Sequence, residues 1–331
     1  MPRRADIDLA KGVAIVLVVF GHLVARADPA QVGWYEPLRR AIYSFHMPFF
    51  LYLSGLVAAC SGSLMSPRAA WGRVARARAR RLLVPFFGLG LCILLGKLAL
   101  APHLFIDNAP AGLWCGLNGL LLHTACSPAA SIWYLFVLFV VGTASMAWLG
   151  GQAARLPWLL AGCALLYTLP LPAICYLDRI GGYALFFVLG AGAGMLGETW
   201  DALMDRAWPA LLAIFLILLG LDMRWGAHWP EKCPLLVIGA LSMPALHGWL
   251  RYSIASWPRA FTLLGRYSFM IYLFNTLCIG FAKAILLRFW SWDGAHFPLF
   301  AGALMAAGLL GPLALKCGVF RYIPAMDRLT D

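Results

Sequence analysis

Three polar side chains interrupt an apolar run near the amino terminus: Asp8, Lys11 and His22. Asp8 and Lys11 are i, i+3 neighbours, and the eleven residues from Lys11 to His22 make three helical turns plus about 20°, so a helix places all three on one stripe. A charge inside a bilayer costs roughly 3 kcal/mol on insertion scales, so such groups face protein or a wet cavity. A purely structural arrangement is also open: Asp8 and Lys11 pair at the membrane surface, the Lys11 stem snorkels, and His22 bonds a neighbouring helix. A second histidine, His46, lies in Ser44-Phe45-His46-Met47-Pro48-Phe49-Phe50, where the next apolar run turns back through the membrane. The two imidazoles are therefore expected at similar depth. Imidazole takes and returns a proton near neutral pH, so two at one level make a candidate acid–base centre. For His46 alone, a hydrogen bond at a helix start opened by Pro48 is the alternative.

Arg68, Arg73, Arg76, Arg78, Arg80 and Arg81 cluster just before Leu82-Leu83-Val84-Pro85-Phe86-Phe87. Such a cluster anchors a chain against anionic lipid. It also fits a phosphate clamp, because guanidinium groups grip phosphate oxygens in pairs, and Arg78 and Arg81 share a helix face. Both readings stand on charge count. The nine cysteines show no Cys-x-x-Cys spacing and no histidine at a metal-ligand interval, so no metal site is expected. Cys115, Cys126, Cys175 and Cys233 fall on or near one side of the membrane, where a disulfide is chemically feasible but unpaired by sequence.

These residues need helices to hold them. The 331-residue chain is 62% hydrophobic and 12% charged, with mean hydropathy +0.80, too apolar to present a water-facing surface. A hydrocarbon core of roughly 30 Å takes about 20 apolar helical residues to cross. Ten segments qualify: Leu9 to Ala25, Ala41 to Cys60, Leu82 to Ala101, Ile132 to Leu149, Pro157 to Leu171, Ile180 to Leu196, Trp208 to Leu221, Cys233 to Leu250, Tyr267 to Leu287 and Phe297 to Cys317. The fifth and seventh are short and hold Pro at an end, which predicts tilting, kinking or re-entry. The expectation is an all-α polytopic membrane protein, one domain over residues 1–331 and one bundle of about ten transmembrane helices. Lys and Arg in the connections are more numerous on the side holding Arg4, the arginine cluster, Arg155, Arg206, Arg251 and Lys316, which predicts both termini in the cytoplasm. The net charge of +12 is divided among short loops rather than gathered on one face, so nucleic acid is not an expected partner. Arg3 and Arg4 before an apolar run, with Ala25-Arg26-Ala27 after it, mimic a secretory signal, but Asp8 and Lys11 interrupt the run and the helix is expected to be retained.

Arg4, Asp8, Lys11-Gly12 and His22 resemble the opening signature of the membrane-bound acyltransferase 3 family, in which a basic residue stands eleven before a histidine. Phe45-His46-Met47-Pro48-Phe49-Phe50 with Leu53-Ser54-Gly55 is similar to its second-helix motif. Arg78 and Arg81 before Leu82-Leu83-Val84-Pro85-Phe86 resemble its arginine motif, and Ile132-Trp133-Tyr134-Leu135 and Ser268-Phe269-Met270-Ile271-Tyr272-Leu273 resemble two later landmarks. The pieces run in family order over most of the chain, nearest to the fucose 4-O-acetylase-like and exopolysaccharide acetyltransferase branch. One position departs: many members carry a histidine where this chain has Asn275, which orients by hydrogen bonds but exchanges no proton at neutral pH.

The resemblance implies transfer of an acyl group, usually acetyl from acetyl-CoA as co-substrate with no tightly bound cofactor, to a hydroxyl of a sugar, glycolipid or surface polysaccharide in a bacterial inner membrane. His22 is then the expected general base, with Asp8 and Lys11 organising the first helix or meeting donor phosphate. His46 is a second proton carrier or oxyanion donor, and Arg76, Arg78 and Arg81 hold the nucleotide end of CoA. An acyl-histidine intermediate on His22 is the alternative chemistry. Trp133, Tyr134 and Tyr272 are candidates to stack on the acceptor, with Asn275 to orient it; an aromatic belt explains Trp133 and Tyr134 equally well. Glu36, Asp107 and Asn108 are loop candidates for the same contact. A homodimer is compatible with this reading, as is membrane lipid as a partner. The competing function is a glycolipid or small-molecule transporter whose buried charges relay protons, against which stands the absence of an inverted repeat.

Overall fold

The computed structural model describes residues 4–24, 31–101 and 109–330. Arg3, Ala25-Arg26-Ala27, Asp107 and Asn108 lie outside them. The described residues form helices and turns with no strand: α1 (Ala5–Gly21), α2 (Tyr35–Tyr43), α3 (His46–Cys60), α4 (Trp71–Leu100), α5 (Leu113–Leu121), α6 (Trp133–Leu149), α7 (Leu156–Thr168), α8 (Leu177–Leu196), α9 (Glu198–Trp225), α10 (Lys232–Tyr252), α11 (Arg259–Arg266), α12 (Ser268–Leu286), α13 (Phe297–Gly318) and α14 (Pro324–Leu329). Among the described residues each of the ten apolar segments lies mainly on helix, the second on α2 and α3 together. Eight helical stretches among the described residues are long and apolar enough to cross a membrane: α2 with α3, α4, α6, α8, α9, α10, α12 and α13. α1, with 17 residues and charges in its first turns, and α7, with 13 residues, are shorter.

The seventh segment differs from expectation. It is not short: α9 runs 28 residues and carries Pro209 inside it. Its charged first turns, with Glu198, Asp201, Asp205 and Arg206, continue the helix beyond the apolar run. A spanning helix absorbs a proline where neighbours re-satisfy the freed carbonyl. Only 11% of the apolar window of α9 is buried, and Ile214, Leu216 and Ile217 are exposed, as side chains directed at lipid would be.

The chain divides into two compact units. The first holds residues up to Leu53 together with those from Gly197 onward. Within it α1 packs against α2, α10, α11, α12 and α13, while α9 packs on α10 and α12 on α13. Burial of Ile7, Leu9, Ala10, Ala14, Ile15, Val18 and Val19 around α1 marks it as the central helix. Contact with α11 is backbone to backbone: a Cβ on Gly12 would lie 1.9 Å from the Phe261 carbonyl oxygen, and one on Gly265 would lie 1.7 Å from that of Asp8. Small residues permit this approach, and in lipid such packing replaces the hydrophobic drive. The second unit, Ser54–Leu196, packs α4 on α5 and α6, and α6 and α7 on α8.

Candidate functional site

At the C-terminal end of α1 the last carbonyls have no helical partners. Two tyrosines of α2 supply donors: the Tyr35 hydroxyl donates to the Phe20 carbonyl at 2.7 Å, and the Tyr43 hydroxyl to the Gly21 carbonyl at 2.8 Å. Tyr43 passes so close that a Cβ on Gly21 would lie 2.5 Å from its Cε1. His22 follows as the cap residue of α1, half-buried, with its N–H on the Val19 carbonyl at 3.1 Å. The Tyr43 ring then stacks on the His46 imidazole, centroids 4.8 Å apart and planes 29° apart. His46 is buried, and its Nδ1 lies 2.8 Å from the Ile42 carbonyl oxygen. A carbonyl only accepts, so Nδ1 carries the proton and Nε2 of the neutral ring keeps a lone pair. The Arg39 guanidinium lies 5.4 Å from the Tyr43 centroid and pairs with Glu36 at 2.6 Å. Tyr43 thus joins the residue before His22 to the ring of His46.

Asp8 and Lys11 sit at the opposite end of α1, with about 20 Å of helix between Asp8 and His22. Asp8 is buried, with Arg266 of α11 at 3.8 Å; Lys11 is half-buried. Beside them lies a partly buried ionic network that the sequence reading missed, with Asp6 and His247 buried and Asp205 exposed. The Arg4 Nη2 bonds Asp6 at 2.6 Å and Asp201 at 3.1 Å, and Arg251 bonds Asp201 at 3.0 Å and Asp205 at 2.9 Å. Asp6 also faces His247 Nε2 at 3.3 Å. Because the carboxylate accepts, Nε2 donates, and Nδ1 is hydrogen-bonded with the Tyr52 hydroxyl at 2.8 Å. The Trp200 indole in turn donates to the Tyr52 oxygen at 2.8 Å. A histidine inside the apolar run from Cys233 to Leu250 was the available signal.

On α12, Tyr272 and Asn275 are buried. The Asn275 amide donates to the Ile271 and Tyr272 carbonyls, both at 2.9 Å, while its Oδ1 has no partner.

In the second unit Arg78 is half-buried, bonding the Gly142 carbonyl of α6 and, at 2.9 Å, the Ser63 hydroxyl. Arg81 is exposed. Arg76, also exposed, lines an open groove of about 610 Å³ with Arg73 and Arg80 along α4. So Arg78 ties helices together, while Arg76 presents its charge outward. Tyr134 is buried with its hydroxyl 2.6 Å from Ser54 Oγ. Trp133 lies against Tyr183, centroids 4.8 Å apart, with the Arg179 guanidinium 5.4 Å from its ring centroid.

The chain is similar to the nodulation protein NolL of Sinorhizobium fredii, with 36% identity over 113 residues, covering 34% of this chain and 29% of that protein. It is similar also to the NolL of Mesorhizobium japonicum, with 29% identity over 140 residues, covering 42% of this chain and 34% of that protein. The matches span about a third of the length of these curated relatives. No solved structure matches the chain. The sequence model of the family described as an acyltransferase domain matches residues 4–317, nearly the whole chain, and on that match this integral membrane protein belongs to the acyltransferase 3 family.

Proposed function

We propose that the protein moves an acetyl group from cytoplasmic acetyl-CoA to a hydroxyl of a sugar, glycolipid or cell-surface polysaccharide, with His22 as general base. The observation that carries this is the Tyr43 link: its hydroxyl bonds the Gly21 carbonyl next to His22 and its ring stacks on His46, so the two histidine-bearing segments meet at the C-terminal end of α1. In the step proposed, His22 takes the proton of the acceptor hydroxyl as its oxygen attacks the thioester carbonyl. The carbon–sulfur bond then breaks, and the departing thiolate takes the proton from the imidazole. A positioned base of this kind is worth roughly 10² to 10⁴ in rate. His46, through its unprotonated Nε2, is the second proton carrier. The donor phosphates fall to Arg76 and Arg81, whose guanidinium groups are exposed, with Arg78 holding the helix that carries them. Asp8 and Lys11 set α1 in place, and Trp133, Tyr134, Tyr272 and Asn275 are the proposed acceptor contacts. The membrane arrangement proposed has ten crossings, with α1 and α7 added to the eight long stretches, and both termini in the cytoplasm of a bacterial inner membrane.

The test is purified protein in nanodiscs with labelled acetyl-CoA and surface glycan. Label should pass to the glycan with release of CoA, and His22→Ala should abolish the transfer without changing the melting temperature by more than a few degrees. Transfer by His22→Ala at the wild-type rate removes the base from the mechanism.

A further inference from the structure

Asp222, in the last turn of α9, is fully buried, and neither of its carboxylate oxygens has a hydrogen-bond partner. Buried polar atoms are almost always paired, so two orphans on one carboxylate need a reason. Beside it stands Arg40 of α2. Its Nη2 donates to the Asp222 and Met223 main-chain carbonyls at 3.0 and 3.4 Å, and its Nε is buried without a partner. The guanidinium is therefore held by backbone rather than by the acid. Space for the carboxylate exists because residue 226 is glycine: a Cβ there would lie 2.1 Å from Asp222 Oδ1 and 3.4 Å from Arg40 Nε. The neighbours Met223 and Trp225 are exposed, so the acid lies close beneath the surface.

The free valences define the ligand. Two acceptor oxygens and one N–H donor, of opposite charge and close together, suit a neutral group that offers several hydroxyls. A divalent cation is a poor fit, since hard cations gather six or more oxygens and a guanidinium would repel one. A phosphate is equally poor, because the carboxylate opposes it. The place matters as well: Arg40 stands one helical turn before Tyr43 on α2, and the Tyr43 ring stacks on His46.

We propose that Asp222 and Arg40 form a subsite for neighbouring hydroxyls of the acceptor sugar, the carboxylate accepting and the guanidinium Nε donating. This rests on the acyl-transfer reading above. Acceptor held there is presented to the histidine cluster; acceptor lost from it leaves the thioester to water.

The experiment uses permeabilised membrane vesicles from the source organism, deleted for the native copy and expressing the full chain, with labelled acetyl-CoA. Acetyl transferred to glycan and CoA released are measured together. For Asp222→Asn the ratio of transfer to release should fall about tenfold or more, the change expected when a hydrogen bond to a charged group is lost. An unchanged ratio, with both quantities kept or both lost in proportion, overturns the subsite. Should Asp222→Asn not accumulate in the membrane, Gly226→Ala reads the same place with both charges kept, and it should lower the ratio similarly; a wild-type ratio there also overturns it. Failure of the underlying reading looks different, since the wild-type chain would then transfer no label to glycan at all.

Discussion

Substituting Gly21 by alanine tests whether the histidine cluster is held as a unit. The new Cβ would lie 2.5 Å from Tyr43 Cε1 and 3.1 Å from its hydroxyl, whereas ordinary contact begins near 3.4 Å, so the ring must retreat by roughly 1 Å. The ring is not free to do so. It is stacked on His46 at 4.8 Å, lies beneath Arg39, and donates to the Gly21 carbonyl at 2.8 Å. Overpacking of this kind costs about 1–3 kcal/mol, and a shift of about 1 Å in a catalytic frame costs on the order of 10²-fold in rate. Gly21→Ala should therefore lower the melting temperature by several degrees and transfer from acetyl-CoA by about two orders of magnitude. The double variant Gly21→Ala with Tyr43→Ala removes the clash but leaves a cavity and loses the bond to the Gly21 carbonyl, so it should recover neither stability nor rate, because the tyrosine that joins the two histidine-bearing segments is gone. The readouts are thermal melts by size-exclusion chromatography and label transfer on the same preparation. Wild-type rate in Gly21→Ala, or recovered rate in the double variant, would refute a role for Tyr43 in holding the cluster.

Two further outcomes follow from other parts of the structure. His247→Ala removes the imidazole between the Tyr52 hydroxyl and the Asp6 carboxylate, leaving Tyr52 with Trp200 and Asp6 with Arg4, and should cost roughly 2–4 kcal/mol of stability, measured as the shift in melting temperature; an unchanged melt would show that water replaces the imidazole without loss. Arg78→Lys should destabilise the protein by about 1–3 kcal/mol through its bonds to Gly142 and Ser63, whereas Arg76→Ala, at an exposed position, should leave the melt unchanged and raise KM for acetyl-CoA; equal effects of the two on KM and on the melt would erase the distinction drawn between them.

The apolar segments were legible because a bilayer demands length and hydrophobicity, and both can be read along a chain. Where charged turns extend a helix past the lipid, the pattern ended too early. The arginine-rich start of α4 at Trp71 is helical because Arg and Ala are good helix formers, yet the apolar run begins only at Leu82. α9 looked short for the same reason. Similar depth for His22 and His46 was expected from the sequence, but Tyr43, which bonds the Gly21 carbonyl and stacks on His46, carried no mark in it, since a tyrosine before a membrane helix is ordinary. Asp6 was overshadowed by Asp8 two residues later, and His247 by its apolar surroundings. Their partners come from helices far apart in the chain, Tyr52 and Asp201 among them, and only the folded arrangement brings them together.

α1 is synthesised well before α10, α11, α12 and α13, which enclose it. At roughly 5–20 residues per second, tens of seconds separate its emergence from that of Arg259 at the start of α11. For that interval Asp6 has Arg4 but neither His247 nor Arg251, and Asp8 lacks Arg266. A nascent chain in this state is a natural client for an insertase or a membrane chaperone, and truncations upstream of α10 should be cleared by quality-control proteases rather than accumulate.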